Sequence, residues 1–173
     1  MVLFVQGAWH REEHAVPLVS SIKAAGYDCE TAPYPSNILT AANPYTEPDH
    51  PDFTTPLADS TTLPDGHADS AAVGEKLNVL IEKEEKTVLI IAHSYGGWAA
   101  SEAANQKLSR SQRMKLGKMG GLLGIFYVCA FPLPLGQSML SYFEGTPLPA
   151  LVGHVSNFQE FFLTEACSTI QEF

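Results

Sequence analysis

Two hydropathy patterns alternate along the chain. Short apolar runs occur at Val2 to Val5, at Thr87 to Ala92 and at Gly124 to Phe131. Runs of that length without a polar break read as strands buried on both faces of a parallel sheet. Tyr27 to Ala32 is a further strand candidate. Between these runs the apolar residues fall three and four apart. Glu12, Glu13 and the set Val16, Leu18, Val19, Ile22 and Ala25, stopped by Gly26, predict a helix ended by glycine. Ala72, Val73, Leu77, Leu80 and Ile81, with Glu75, Lys76, Glu82 and Lys83 opposite, predict a helix over 69–86 capped by Asp65 or Asp69. Trp98 to Leu108 reads as a helix of small residues. Ser109 to Gly117, with Arg110, Arg113, Lys115 and then Lys118, reads as a solvated basic connector.

Residues 33–67 break the pattern. Pro33, Pro35, Pro44, Pro48, Pro51, Pro56 and Pro64 punctuate a polar stretch in which no helix or central strand survives. A loop of that length is either functional or disordered. The resulting order, strand, helix, strand, loop, helix, strand, helix, strand, is that of an α/β protein with a mostly parallel sheet flanked by helices. Such sheets bind ligands at the carboxyl ends of their strands. That places the candidate chemistry after Val5, after Ala92 and after Phe131.

Composition narrows the function classes. The 173 residues suit one domain, and 45% apolar with 17% charged residues describes a globular chain with a core. Ten basic against nineteen acidic residues leave a net charge of −9. No basic stripe is present to displace counterions from nucleic acid or to hold an anionic membrane surface. No apolar run approaches the roughly 20 residues of a membrane span. The start MVLFVQGAWH lacks the basic segment and small-residue cleavage site of a secretory signal. Cys29, Cys129 and Cys167 are odd in number and far apart, which fits neither a disulfide framework nor a metal knuckle. A reduced, cytoplasmic chain is the expectation, and the sequence does not give its oligomeric state.

The strongest chemical signal is VLIIAHSYGG at 88–97. A serine on a sharp strand-to-helix turn is a nucleophile elbow, and it needs small residues two before and two after it. Ala92 and Gly96 hold those positions around Ser94, so the pattern is A-x-S-x-G. Free N–H groups of the following helix then face a developing oxyanion. Gln6-Gly7-Ala8-Trp9-His10 follows the first strand, and its loop can turn the Ala8 amide toward the same oxyanion, with the Tyr95 amide as second donor. Trp9, His10, His93 and Trp98 are candidate pocket residues; Tyr95 and Trp98 can equally pack on the sheet.

Metal and phosphate sites are not expected. His10 and His14 are four apart but lack a third ligand, and His50 and His67 sit among Asp49, Asp52, Asp65 and Asp69 without ligand spacing. Gly117, Gly120, Gly121 and Gly124 precede a strand instead of opening a helix.

The stretches FVQGAWH at 4–10, IIAHSYGGWAASEA at 90–103 and RMKLGKMGGLLGIFYVCAFPLPLGQSML at 113–140 resemble the α/β-hydrolase superfamily, and within it the small fungal and plant hydrolases related to methylesterases and hydroxynitrile lyases. The resemblance spans residues 1–150, taken as the N-terminal part of one hydrolase domain. It implies a nucleophile at Ser94, oxyanion donors at Ala8 and Tyr95, a small ester-type substrate and no cofactor. Relatives often carry proline or histidine where this chain has Gln6.

The rest of the triad is the difficulty. In this fold the order is serine, acid, histidine. After Ser94 the carboxylates are Glu102, Glu144, Glu160, Glu165 and Glu172, and the histidine is His154. About 40 residues follow Phe131, too few for a cap and two further strands with their helices, at roughly 10–14 residues per helix and 5–6 per strand. Glu102 stands on the helix behind the turn, and Glu144 with His154 is a local substitute. The expectation is a truncated chain whose sheet lacks its last strands, with the strand ending at Phe131 as an open edge and an atypical tail over 151–173. One half of a larger native protein is the alternative. The expected function is a serine hydrolase of a carboxylic ester, thioester or lactone, in secondary metabolism. The rivals are a non-catalytic remnant and a lyase on the same scaffold.

Overall fold

A computed structural model describes residues 1–8, 10–32, 35, 66–130 and the backbone of 170–172. Trp9, the proline-rich stretch up to Asp65, and Glu144 and His154 lie outside the described residues.

Four strands run parallel. They are β1 (Val2–Val5), β2 (Cys29–Thr31), β3 (Thr87–His93) and β4 (Gly121–Val128), and a short β5 (Ile170–Glu172) closes the sheet in the order β2-β1-β3-β4-β5. β1 lies inside the sheet, with Val2 opposite Cys29 on one side and Leu89 on the other. The chain moves outward from β1 to β2 across α1 (Glu12–Ala24), then returns through α2 (Gly66–Asn78) to β3 on the opposite side of β1. The direction of winding therefore reverses between β1 and β3. Open α/β sheets form their ligand crevice at such a reversal, outside the carboxyl ends of the two strands. Here those ends carry the Gly7 loop and Ser94.

The core lies on one face. Leu3, Val5, Val88, Ile90, Ala92, Leu122, Ile125 and Tyr127 of the sheet pack against Val73 and Leu77 of α2 and against Ala99 and Ala100 of α3 (Gly96–Ala103). Alternate residues of β3 are fully buried, as a strand's two-residue period requires. The small residues of α3 let it lie close to the sheet, and Gly97, Ala99 and Ala100 are all buried.

Several elements differ from their expected form. α2 begins at Gly66, so His67 and Asp69 belong to its first turn and not to the proline-rich loop. It ends in a wide π turn, Val79–Lys83, which buries Leu80 and Ile81. α3 stops at Ala103, and a 3₁₀ turn covers Gln106–Leu108. The basic stretch is a helix, α4 (Arg110–Lys115), capped by the Ser109 side chain accepting from the Gln112 amide. Its Arg113 is buried, not solvated. In α1 the buried residue is Ala15, while Val16 and Leu18 are 55% and 41% exposed. β4 begins at Gly121 and bulges at Leu123, since Val88 faces Leu122 and Leu89 faces Gly124.

The expected open edge of β4 is covered in part: Gly124, Ile125 and Phe126 pair antiparallel with Glu172, Gln171 and Ile170. Among the described residues no helix is long and apolar enough to cross a membrane.

Candidate functional site

β3 ends at His93 and α3 begins at Gly96, so the chain reverses in two residues. Ser94 has φ +52, left-handed backbone that costs a non-glycine residue about 1–2 kcal/mol. The turn is tied down on both sides. The Ser94 amide donates to the Cys129 carbonyl at 3.1 Å, and the Ser94 carbonyl accepts from the Gly97 amide at 3.0 Å. Gly96 leaves no room for a side chain: an ideal Cβ would lie 2.5 Å from the Gln6 carbonyl oxygen and closer still to that of Val5. The end of β1 thus passes directly against the start of α3.

Gly7 makes the second close approach. A Cβ there would be 3.1 Å from Ser94 Cβ, 3.1 Å from His93 Nδ1 and 3.3 Å from His10 Nδ1. The loop after β1 and the turn after β3 therefore meet at one point. Gln6 braces the loop: its side chain is buried and Nε2 donates to the His10 carbonyl at 3.3 Å. His10 Nδ1 donates to the Ala8 carbonyl at 2.9 Å, which leaves its Nε2 as the acceptor in the neutral ring. Ala8 sits between these anchors, one residue from the contact with Ser94. Trp9, the neighbouring pocket candidate, lies outside the described residues.

His10 and His93 meet edge to face, with ring centroids 5.4 Å apart, and His14 stands 5.6 Å from His10. His14 Nδ1 accepts from the Arg11 amide at 3.0 Å. Among the described residues no group of His, Cys, Asp or Glu is placed to hold a metal ion. Burial, and after it the charge of His10, holds the His93 pKa below its ordinary 6.5. A histidine with a depressed folded pKa binds protons more readily in the unfolded chain, so its contribution to stability rises with pH. That contribution is complete above the unfolded value near 6.5 and is lost as pH falls through the folded value. Melting temperatures measured from pH 8 to pH 5 should fall in the acidic half of that range for the wild type. The slope should flatten in His93→Gln.

Tyr95 and Trp98 have their aromatic rings 5.4 Å apart between α3 and α2. The Trp98 ring occupies the space that a side chain at Gly66 would need. Tyr95 Oη donates to Asp69 Oδ2 at 2.9 Å, and Asp69 is wholly buried. Glu102, on the far part of α3, is held by His67 Nδ1 at 2.8 Å. The sequence reads Asp69 as a helix cap or as one of a loose cluster of acids around His50 and His67. Its signal was an acid at a helix start, which points to a cap and not to a tyrosine of another helix. A groove of about 530 Å³ runs along α1 and β2, lined by Val16, Val19, Cys29 and the Glu30–Lys76 ion pair, and it includes none of the residues around Ser94.

A parallel sheet with helices on it, and a serine on a strand-to-helix turn at the winding reversal, is the framework of the α/β hydrolases. No protein-family model matches the chain. The chain is similar to "Alpha/beta hydrolase nvfD" of Aspergillus novofumigatus (strain IBT 16806), with 27% identity over 143 residues. The match takes in 83% of this chain and 48% of that protein, so the chain spans about half the length of the curated relative. Fold and similarity together bear out the expected resemblance to the α/β-hydrolase superfamily, at the level of the scaffold.

Proposed function

We propose that the chain carries the nucleophile half of a serine hydrolase acting on a small carboxylic ester, thioester or lactone. The supporting observation is Ser94, held at φ +52 at the tip of β3, where Gly96 admits no side chain and Gly7 brings the first loop against it. In this reading Ser94 Oγ attacks the carbonyl carbon, and the amides of Ala8 and Tyr95 receive the charge that develops on oxygen. The leaving group departs with the proton, and water then releases the acyl group. Trp9, His10, His93 and Trp98 would border the substrate. A serine hydroxyl is a weak nucleophile until a base accepts its proton; in this reading the base and its acid partner come from residues outside the described ones. In this reading the protein serves secondary metabolism, in the cytoplasm.

The test is covalent labelling with a fluorophosphonate. The folded wild type should be labelled, and Ser94→Ala should lose the label completely. A folded wild type that takes no label overturns the hydrolase reading and leaves a non-catalytic remnant of the scaffold.

A further inference from the structure

We infer that Asp69 is a positioning residue for the Ser94 site, acting through the Tyr95 hydroxyl; the inference rests on the hydrolase reading above. Tyr95 is the residue immediately after Ser94 and supplies one of the two proposed oxyanion amides. It is also the last residue before α3, so its backbone orientation sets both that amide and the start of the helix. Its side chain crosses to α2 and is held there by Asp69 Oδ2 at 2.9 Å.

The chemistry of that contact is unusual for a packing contact. Asp69 is 0% exposed in the first turn of α2. A buried carboxylate is costly unless it is hydrogen-bonded, and an apolar side chain of similar size commonly gives equal or better stability. What an apolar residue cannot give is an acceptor that fixes the tyrosine hydroxyl at one point. The surroundings keep the two helices in register at the same place. The Trp98 ring sits against the backbone of Gly66. The first turn of α2 thereby clamps the first turn of α3 directly behind the nucleophile. An oxyanion site needs its donors held within about 0.5 Å and 10–20°, and removal of one donor typically costs about 10²–10³ in rate. Loss of the clamp should act as a partial loss of the Tyr95 donor, with substrate affinity unchanged.

The experiment measures fluorophosphonate labelling of Ser94 in the full chain, resolved into the maximal labelling rate and the half-saturating probe concentration. All variants are compared well below their melting temperatures. Asp69→Ala should lower the maximal rate by roughly 10- to 100-fold, within the range for a displaced oxyanion donor, and leave the half-saturating concentration in place. Tyr95→Phe should show the same split. Asp69→Asn keeps an acceptor oxygen and should return the rate to within about threefold of wild type. If Asp69→Ala does not fold, the contrast between Tyr95→Phe and Asp69→Asn carries the test. Wild-type labelling with unchanged rates in folded Asp69→Ala or Tyr95→Phe overturns the positioning role alone, as does an Asn variant that falls as far as Ala. Absence of label in the wild type overturns the hydrolase reading and this role together.

Discussion

Gly96→Ala should destabilise the protein by about 2 kcal/mol or more, net of the roughly 1 kcal/mol that alanine normally adds inside a helix. The added methyl group meets the backbone of Val5 and Gln6: their carbonyl oxygens, and the Val5 carbonyl carbon at 2.9 Å. A flexible side chain would swing away, but these atoms belong to the backbone at the end of β1, where Val5 is paired with Ala92 of β3. Either β1 or the start of α3 must move, and both movements separate the Gly7 loop from Ser94. The variant should therefore lose most of its labelling as well as its stability. Urea denaturation gives the first quantity: a loss of this size lowers the midpoint by about 1 M. Gly74→Ala is the matched control. Its new methyl would meet only Ala103 Cβ, at 4.0 Å, so the helix propensity should dominate and the midpoint should hold or rise.

Arg113→Met should cost about 3 kcal/mol. Arg113 is 2% exposed, and its guanidinium serves three partners. Nη2 donates to the Ile81 carbonyl at 3.1 Å and to the Met119 carbonyl at 2.8 Å, Nε donates to Met119 at 3.2 Å, and Nη1 pairs with the Glu82 carboxylate. Methionine fills much of the volume but leaves those carbonyls without a donor, at about 1–3 kcal/mol for each buried group. The pair of half-buried Arg11 with exposed Glu13, open to solvent on one side, is worth only about 0–1 kcal/mol, so Arg11→Met should move the melting temperature little. At about 2–4 °C per kcal/mol for a chain of this size, Arg113→Met should lower the melting temperature by about 10 °C in a thermal scan.

Arg113 also shows where the sequence was opaque. Its partners on the wide turn at the end of α2 lie 31 and 32 residues earlier in the chain, and a basic run with no apolar period looks like solvated loop until that turn is placed beside it. β1 and β3 were legible because a buried parallel strand writes itself as an unbroken apolar run. The glycine that ends α1 was legible for an equally local reason: Gly26 has φ +89. The start of β4 was missed because Gly121 carries no hydropathy signal. Val16 and Leu18 misled for the opposite reason, being apolar residues on the exposed side of α1. At the candidate site, the strand–turn–helix around Ser94 is encoded within five residues, Ala92 to Gly96. The meeting of Gly7 with Ser94 follows only from the winding reversal between β1 and β3. The Asp69–Tyr95 bond joins residues 26 apart on different helices, and no local pattern announces it.

The left-handed backbone at Ser94 sets two demands on one codon. Thermal tolerance alone favours glycine there, since glycine takes that geometry without steric cost. Chemistry asks for a hydroxyl instead. Any lineage or library released from the second demand is free to relax toward the first, and the identity of residue 94 then becomes a record of which demand prevailed.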